Sequence, residues 1–357
     1  MAQTVPLIRT AALVPWVRWL RENGRPVTQR LEAAGLAFLD LEEPNAPAPL
    51  LLLLDFIRQQ ADTEGMDIGC RVVTETSVVE LANLGLVALT AETLYDAFTR
   101  VSRHMPRHCS HEVLTVEEHA DWVTVCEFWH FDFDATTLHL IEQYVAALLH
   151  SICRLARPPG PCGITYSLVP HPEAGLAHLR PWLGDRLEAS SVPRLALQVP
   201  SAAAHARLPV FELSESEKIS LTTDWAKLRE RGILADSLEV TIMSMLPEAR
   251  ITADLLAKCA GMTTRTLQRR LEDEDTSVSD LIDTTRRRIA LERLEAGDSN
   301  LSELAAALGY TNPSAFTRAV RRWTGQSPRT FRMTGQHAAS PRPRHGTAAE
   351  SATDSLG

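Results

Sequence analysis

The sequence lacks the features of a membrane-spanning or exported protein. Its most apolar run is the five leucines Leu50 to Leu54, which Asp55 follows directly. A helix needs about 20 apolar residues to cross a bilayer, so this run predicts a buried helix instead. The first residues show no charged start, apolar block and small-residue cleavage site, so no signal peptide is expected. These absences favour a cytoplasmic protein without a membrane partner.

Recognisable catalytic motifs are also missing. None of the six cysteines forms a C-x-x-C pair, and reduced, buried thiols are the usual state in a cytoplasmic chain of this length. The sequence has no G-x-S-x-G, P-loop, H-E-x-x-H or G-x-G-x-x-G motif, which mark common hydrolases, metalloproteases and nucleotide-binding enzymes. We therefore expect neither enzyme activity nor a cofactor.

Charge is distributed unevenly over the 357 residues, a length that favours two domains. Residues 250–332 hold 14 basic and 11 acidic side chains, a net charge of +3. Residues 1–249 hold 20 basic and 32 acidic side chains, a net charge of −12, and the whole chain carries −9. Only the C-terminal region suits a polyanionic partner.

The pattern of residues 1–213 predicts an α+β domain. Apolar residues recur at helical spacing, as in Val14, Val17 and Leu20, and segments rich in β-branched and aromatic residues follow. The predicted elements in chain order are helices in 1–60 and 92–105, a hairpin of 112–118 and 121–133, a helix over 137–155, and strands over 164–170 and 194–200.

The remainder of the chain is predicted to be helical, apart from its end. Residues 214–232 are predicted to form a connecting helix, and residues 233–332 an all-α DNA-binding domain. Residues 333–357 are rich in Ser, Pro, Ala and Gly, so disorder is expected there.

An internal repeat organises the C-terminal domain. Residues 255–274 and 303–325 each contain a short apolar helix, a glycine, a polar turn and an amphipathic helix with arginines. This arrangement is a helix-turn-helix motif written twice. The segment between the copies, residues 278–297, predicts a linker helix of roughly 30 Å, close to the ~34 Å repeat of major grooves on one face of DNA.

In the first copy Thr252 is expected to cap the first helix, and Thr263 or Thr264 the second. Leu267 and Leu271 lie one turn apart and are expected to point inward. The opposite face of that helix carries Arg265, Gln268, Arg269 and Glu272.

In the second copy Asn300 is expected to cap the first helix, and Asn312 with Pro313 to begin the second. Phe316, Val320 and Trp323 are expected to face inward. The outward side chains are Ser314, Thr317, Arg318 and Arg321.

Outward Arg, Gln and Asn side chains are the ones that read bases, because Arg bonds guanine and Gln or Asn bonds adenine in the major groove. On the linker, Arg286, Arg287 and Arg288 either contact phosphate or are solvated or paired with Asp283 and Glu292. The residues predicted to contact double-stranded DNA are Thr264, Arg265, Gln268, Arg269, Asn312, Ser314, Thr317, Arg318, Arg321 and Arg322.

These motifs resemble the AraC/XylS family of bacterial transcription regulators. The family pattern is present as G-M-x-x-R-x-L-Q-R-x-L at 261–271, and as A-x-x-L-G-Y-x-N-P-S-A-F-T-R-A-V-R-R-W-x-G-Q-S-P at 305–328. The resemblance implies base reading by Arg265, Gln268 and Arg269. In the second copy it implies contacts by Ser314, Thr317 and Arg318; Pro313 replaces a polar residue of some relatives, so this helix could mainly contact phosphate.

The N-terminal region resembles the ligand-binding domain of the ornithine-utilisation-type branch of that family, an arabinose-binding-type domain. The resemblance rests on residues 84–105 and 164–200. It implies a homodimeric regulator that responds to a small-molecule effector and acts on RNA polymerase, with activation as the expected sign of regulation.

Two groups of residues in the N-terminal region allow other interpretations. His104, His108, Cys109 and His111 lie close together in sequence, so a metal- or haem-binding sensor or enzyme domain fused to a DNA-binding module is the alternative function. Their spacing fits no standard site, which favours a polar helix end and no metal. The aromatic strand 121–133 offers ligand contacts; the predicted residues are Trp122, Phe128 and His130, with Glu127 as a further polar candidate.

Overall fold

The computed structural model describes residues 4–156, 163–209, 223–246, 251–296 and 300–339. The chain divides into two compact units, Met1–Thr285 and Arg286–Gly357. The predicted domain boundaries at residues 213 and 233 both fall inside the first unit, so these boundaries stay a prediction.

The first unit begins with a small antiparallel sheet that the sequence pattern did not reveal. Ile8 lies opposite Ala48 in this pair, and strands of three residues are too short for an alternating pattern to show. Helices fill the space between and after the strands, as predicted for residues 1–60. The elements are β1 (Leu7–Arg9), a 3-10 turn (Thr10–Leu13), α1 (Val14–Glu22), α2 (Val27–Ala33), β2 (Pro47–Pro49) and α3 (Leu50–Glu64).

Four further helices lead to the sheet: α4 (Ile68–Arg71), α5 (Ser77–Glu80), α6 (Asn83–Leu89) and α7 (Leu94–His108). The Thr93 side chain accepts a hydrogen bond of 3.1 Å from the Asp96 amide and caps α7. Phe98 and Val101 are buried on one face. The helix predicted over 92–105 is confirmed and extends to His108.

The main sheet has five strands in the order β3-β4-β7-β5-β6. Its first two strands form the predicted hairpin, with Glu112 opposite Trp129 and Leu114 opposite Glu127. Strand β6 was not predicted; it is short, and its pairing with β5 is parallel. The strands are β3 (Glu112–Glu118), β4 (Trp122–Trp129), β5 (Thr165–Leu168), β6 (Leu187–Ala189) and β7 (Leu195–Pro200).

Strand alternation gives the sheet a buried inner face. Val123, Val125 and Glu127 of β4 are fully buried, whereas Trp122 on the other face is 43% exposed. Helix α8 (Ala135–Arg154) follows the hairpin, as predicted, and the Asp134 side chain caps it. This domain of helices and a sheet confirms the predicted fold of the N-terminal region in outline.

Among the described residues of the first unit, four more short or medium helices precede the helix pair described below: α9 (Arg180–Leu183), α10 (Ser201–Ala204), α11 (Ala226–Arg231) and α12 (Leu234–Met245). Of the connecting helix predicted over 214–232, the described residues show only α11. The part before residue 223 lies outside the described residues.

The remaining helices are α13 (Ala253–Cys259), α14 (Thr264–Asp273), α15 (Val278–Ala296), α16 (Leu301–Ala307), α17 (Pro313–Thr324) and α18 (Pro328–Ala339). This part of the chain is helical, as predicted. Helix α18 extends to Ala339, into the segment 333–357 that was expected to be disordered. At its start the Ser327 hydroxyl accepts a hydrogen bond from the Thr330 amide. The rest of that segment, from residue 340, lies outside the described residues.

Two further findings concern composition. Within the described residues no helix is long and apolar enough to cross a membrane. Five cysteines are buried thiols, as expected, namely Cys70, Cys109, Cys126, Cys153 and Cys259; Cys162 lies outside the described residues.

Candidate nucleic-acid interface and interior cavity

Helices α13 and α14 form a tight pair through a capped turn. The Thr252 hydroxyl accepts a hydrogen bond from the Leu255 amide at 3.2 Å, and the Thr263 hydroxyl accepts one from the Thr266 amide at 3.2 Å. Of the two candidate caps of α14, the structure therefore selects Thr263. Gly261 has φ of +63°, a left-handed conformation that favours glycine. These caps fix the direction in which α14 leaves the turn.

The two faces of α14 divide as predicted. Leu267 and Leu271 have no exposed surface, while Arg265, Gln268 and Arg269 are exposed. Thr264, the remaining predicted contact on this helix, is half-buried, and its hydroxyl donates to the Asp254 carboxylate at 2.5 Å.

Two exposed arginines of α14 have no bonded partner among the described residues. In the described part of the chain, no hydrogen bond or ion pair holds the guanidinium groups of Arg265 and Arg269. An exposed helix face with two free guanidinium groups and an amide between them is able to bond base edges.

Helices α16 and α17 repeat this arrangement in the second unit. The Asn300 side chain accepts from the Ser302 amide at 2.9 Å, and the Asn312 side chain accepts from the Ala315 amide at 2.8 Å. Gly309 between the helices has φ of +71°. Phe316 and Val320 are buried as expected.

On α17 the predicted contact residues fall into two groups. Ser314, Arg318 and Arg321 are exposed. Thr317 is half-buried, and its hydroxyl donates to the Pro313 carbonyl at 2.9 Å. Asn312 is exposed but serves as the helix cap.

The Arg322 guanidinium lies 5.8 Å from the ring centre of Trp323. The free cationic surface of α17 is therefore formed by Arg318 and Arg321, and the contacts predicted for the other residues stay predictions.

Two of the three linker arginines have protein partners. Arg286 donates to the Leu308 carbonyl at 2.9 Å and stacks on the Tyr310 ring. Arg288 lies 3.5 Å from Glu292, the pairing that was one of the alternatives. Arg287 is exposed, so it is the arginine of this group best placed to contact phosphate.

An apolar cavity lies inside the N-terminal part of the first unit. Its volume, counted as the space open to the centre of a water molecule, is about 80 Å³. Aliphatic residues of α3, α6 and α8 form most of its wall, including Leu53, Ile57 and Leu148. A mainly apolar lining with a few polar groups is typical of small-molecule sites.

The residues predicted to contact a ligand do not line this cavity. Trp122 and Phe128 belong to the outer face of β4, opposite to Trp129, and His130 follows the strand and is exposed. Trp129 does line the cavity, together with Glu112 from the neighbouring strand. The sequence pattern gave the aromatic strand, but period-two alternation places only every second residue inward. The ligand roles of Trp122, Phe128 and His130 stay predictions.

Buried acidic residues around the cavity escaped the sequence analysis, apart from Glu127. Glu112, Glu127 and Glu142 are all buried. Burial raises the pKa of Glu142 to about 8 and raises the pKa of Glu112 as well. Acidic residues at inward positions of a strand were the available sequence signal, since Glu112 and Glu127 alternate with outward residues.

The histidine and cysteine group around His104 is part of the core rather than a polar helix end. His108, Cys109 and His111 are buried, and burial lowers the pKa of His108 to about 3. His111 shares a hydrogen bond of 2.7 Å with the Ser110 hydroxyl. Among the described residues, no three His, Cys, Asp or Glu side chains are grouped so as to hold a metal ion.

One helix connects the cavity wall to the α13–α14 pair. Leu50, Leu53 and Leu54 of α3 line the cavity. Leu51, on another face of the same helix, lies against Gly261, and its Cδ1 is 2.7 Å from where a Cβ on that glycine would be. Leu255 of α13 similarly approaches Gly35, at the end of α2.

Comparisons with known proteins give two family matches that follow each other along the chain. Residues 24–188 match the arabinose-binding domain of AraC transcription regulators, an N-terminal domain, and residues 256–334 match a helix-turn-helix domain. These matches contain the cavity-lining residues except Ile8 and Ala12, and both helix pairs except the start of α13.

Three curated relatives are all regulators. The HTH-type transcriptional regulator VirS of Mycobacterium tuberculosis is 41% identical over 91 residues, which are 26% of this chain and 27% of VirS. An uncharacterised HTH-type transcriptional regulator of Mycobacterium tuberculosis is 23% identical over 330 residues, covering 88% of this chain and 93% of that protein. The ornithine utilization regulator of Pseudomonas aeruginosa is 38% identical over 68 residues, or 19% and 20% of the two chains.

Proposed function

We propose, since this chain belongs to the AraC/XylS family of transcription regulators, that it binds specific DNA sequences and controls transcription, and that it has no catalytic role. The observation that carries the proposal is the exposed face of α14, where Arg265, Gln268 and Arg269 have no bonded partner in the part of the chain that the structure describes. Side chains of these types form bidentate bonds to guanine and adenine in the major groove.

The two helix pairs are proposed to be two helix-turn-helix motifs joined by α15. Each has a left-handed glycine before its second helix and a side-chain cap at that helix, Thr263 in one and Asn312 in the other. Helix α15 has 19 residues, which makes it about 28 Å long. That length supports the entry of each second helix into its own major groove, one turn of DNA apart.

Control by a small molecule is proposed to act through α3. The helix offers Leu50, Leu53 and Leu54 to the cavity and Leu51 to the α13–α14 turn. A ligand that binds one position of α3 better than another would change the population of DNA-competent protein. The contact between Leu51 and Gly261 is the physical link that this proposal requires.

The rest of the proposed function follows the family. The protein acts in the cytoplasm on promoter DNA as a homodimer, and two copies meet paired half-sites. Activation through contact with RNA polymerase is the proposed sign of regulation, with repression as the alternative outcome of a reporter assay.

Binding of the full chain to DNA tests the proposal. Fragments from upstream of its own and neighbouring genes are compared with scrambled fragments of equal length, over a salt series. The proposal requires one native fragment to bind more tightly, and to stay bound at salt concentrations that abolish binding to the scrambled DNA. Equal, salt-sensitive binding to both, with and without candidate effectors, would contradict sequence-specific regulation.

A further inference from the structure

The cavity of the first unit has a polar end within an apolar wall. Glu112 of β3 and Trp129 of β4 lie opposite each other and both line it. Glu127 belongs to the same inner face of β4, two residues from Trp129, and has no exposed surface. His108, at the end of α7, completes this end of the cavity.

Several polar groups here lack hydrogen-bond partners among the described residues. They are both carboxylate oxygens of Glu127 and the indole Nε1 of Trp129, all of them buried. The indole N–H nevertheless lies close enough to Glu127 to offset part of the rise in the pKa of that carboxyl, which burial and the charges of Glu112 and Glu142 cause. Unsatisfied buried polar groups are costly in free energy, so a native site that keeps them calls for a ligand that satisfies them.

No cation of the described chain neutralises the two glutamates. Glu112 forms no hydrogen bond or ion pair there. The charge of Arg9 helps to lower the pKa of His108, but its guanidinium group binds other partners. It donates to the carbonyls of Arg107 at 2.8 Å and Thr223 at 3.3 Å, and its guanidinium lies 3.7 Å from the ring centre of Trp225.

These features decide between classes of ligand. A carboxylate or phosphate would find no lysine or arginine among the described residues of the lining to balance its charge in an apolar cavity, which disfavours anions. A sugar needs many hydrogen bonds, and the wall is mainly aliphatic. An ammonium group supplies both the positive charge and up to three N–H donors, and an apolar body matches the wall.

We propose that this cavity binds a protonated amine carried on an apolar alkyl or aryl body, with the ammonium group between Glu112 and Glu127. The proposal rests on the proposed function, because it names the chemical class of the effector. His108 and the indole of Trp129 also line the cavity, and Glu142 is close enough to raise the pKa of Glu127. The empty cavity keeps Glu112 protonated near neutral pH, and binding converts it to a carboxylate and releases one proton to water.

A ligand series with one changing head group tests the proposal. The full chain is titrated at pH 7 with n-alkylamines from butylamine to decylamine, and with the alkanols and alkanoates of the same lengths. Thermal unfolding and calorimetry report binding. We expect one amine length to bind best, about ten- to a hundredfold more tightly than the matching alkanol, since a charge-assisted bond is lost. The alkanoates are expected not to bind.

Variants locate the site. Glu112→Gln is expected to remove the preference for amine over alkanol, and Glu127→Gln to reduce it. The matched control is Glu117→Gln, because Glu117 lies on β3 with Glu112 but has an exposed side chain. This variant is expected to leave the preference for amine over alkanol unchanged. If Glu112→Gln fails to fold, the proposal is tested by the amine preference of Glu127→Gln and by the wild-type ligand series. The proposal is overturned if alkanoates bind as tightly as amines, or if folded Glu112→Gln keeps the full preference.

The same preparations are tested for sequence-specific DNA binding, which separates two kinds of failure. Specific DNA binding without amine binding rejects the ligand class and leaves the regulator in place. Amine binding without specific DNA binding rejects the proposed function and leaves the amine site in place.

Discussion

Leu51 of α3 packs against Gly261 in the turn between α13 and α14, with its Cδ1 2.7 Å from the position that a Cβ on Gly261 would occupy. The same helix forms part of the cavity wall through Leu50, Leu53 and Leu54. A ligand that displaced α3 would therefore change the packing at the turn that orients α14. The left-handed φ of Gly261, +63°, makes this position sensitive to any side chain.

Gly261→Ala is expected to destabilise the protein for two reasons. A Cβ in the left-handed region costs about 1–2 kcal/mol, and here it also displaces Leu51. Gly24→Ala is a matched control, because Gly24 has φ of +64° and nothing within 4 Å of its added Cβ. Urea denaturation should show that Gly261→Ala lowers the free energy of unfolding more than Gly24→Ala does. When Gly261→Ala is combined with Leu51→Ala, part of this extra loss should disappear. Equal losses of unfolding free energy for the two glycine variants would contradict a close contact between Leu51 and Gly261.

Arg269→Ala is expected to weaken binding to the operator by about 1–3 kcal/mol and to relax the preference at one base pair, if the contact is bidentate. Arg21→Ala removes the same charge from an exposed site on α1 and should leave base preference intact. Anisotropy titrations against operators with single base-pair changes measure both. An unchanged preference in Arg269→Ala would show that this arginine does not read bases.

Leu267→Ala tests the inward face of α14. The side chain has no exposed surface, so its truncation should cost about 2–5 kcal/mol of unfolding free energy. Loss of DNA binding should follow loss of folding, as seen by circular dichroism of the same samples. A stable Leu267→Ala protein with a new base preference would mean that the facing of α14 is wrong.

Stability is expected to fall between pH 6.5 and 8. The pKa of Glu142 is raised to about 8 from an ordinary 4.5, so the folded state binds this proton more tightly than the unfolded state does. The part of the unfolding free energy that comes from this proton is therefore lost as the pH rises to about 8. The lowered pKa of His108, about 3 against 6.5, acts in the opposite direction, but only below pH 6.5. Melting temperatures across this range should decline, and Glu142→Gln should flatten the decline while Glu117→Gln does not. A wild-type melting temperature that rises from pH 6.5 to 8 would contradict the buried, protonated state of Glu142.

Much of the helical architecture was predictable because local patterns determine it. The amphipathic spacing of Leu267 and Leu271 and the cap residues Thr263 and Asn312 are read within one or two turns of chain. The strand pair of β3 and β4 was equally readable, since a short polar turn joins two segments rich in β-branched residues.

The cavity could not be predicted in the same way. Its wall combines α3, α5, α6, α7, α8 and three strands, and no local pattern shows that Glu112 and Trp129 meet across a ladder. The aromatic strand drew attention to Trp122 and Phe128, but register decides which face is inward, and it placed Trp129 there. The partners of Arg286, a carbonyl and a ring in the next helix pair, were likewise invisible in sequence.

The most direct test of the central claim is selection of bound sequences from a randomised double-stranded DNA library by the full-length protein. Sequencing of the bound fraction should reveal two short blocks centred about 10 base pairs apart, since each second helix reads one major groove and successive grooves repeat every helical turn. The block assigned to α14 should change in Arg269→Ala and stay the same in Arg21→Ala. A bound pool that remains as random as the input at moderate salt would contradict sequence-specific recognition by these helices.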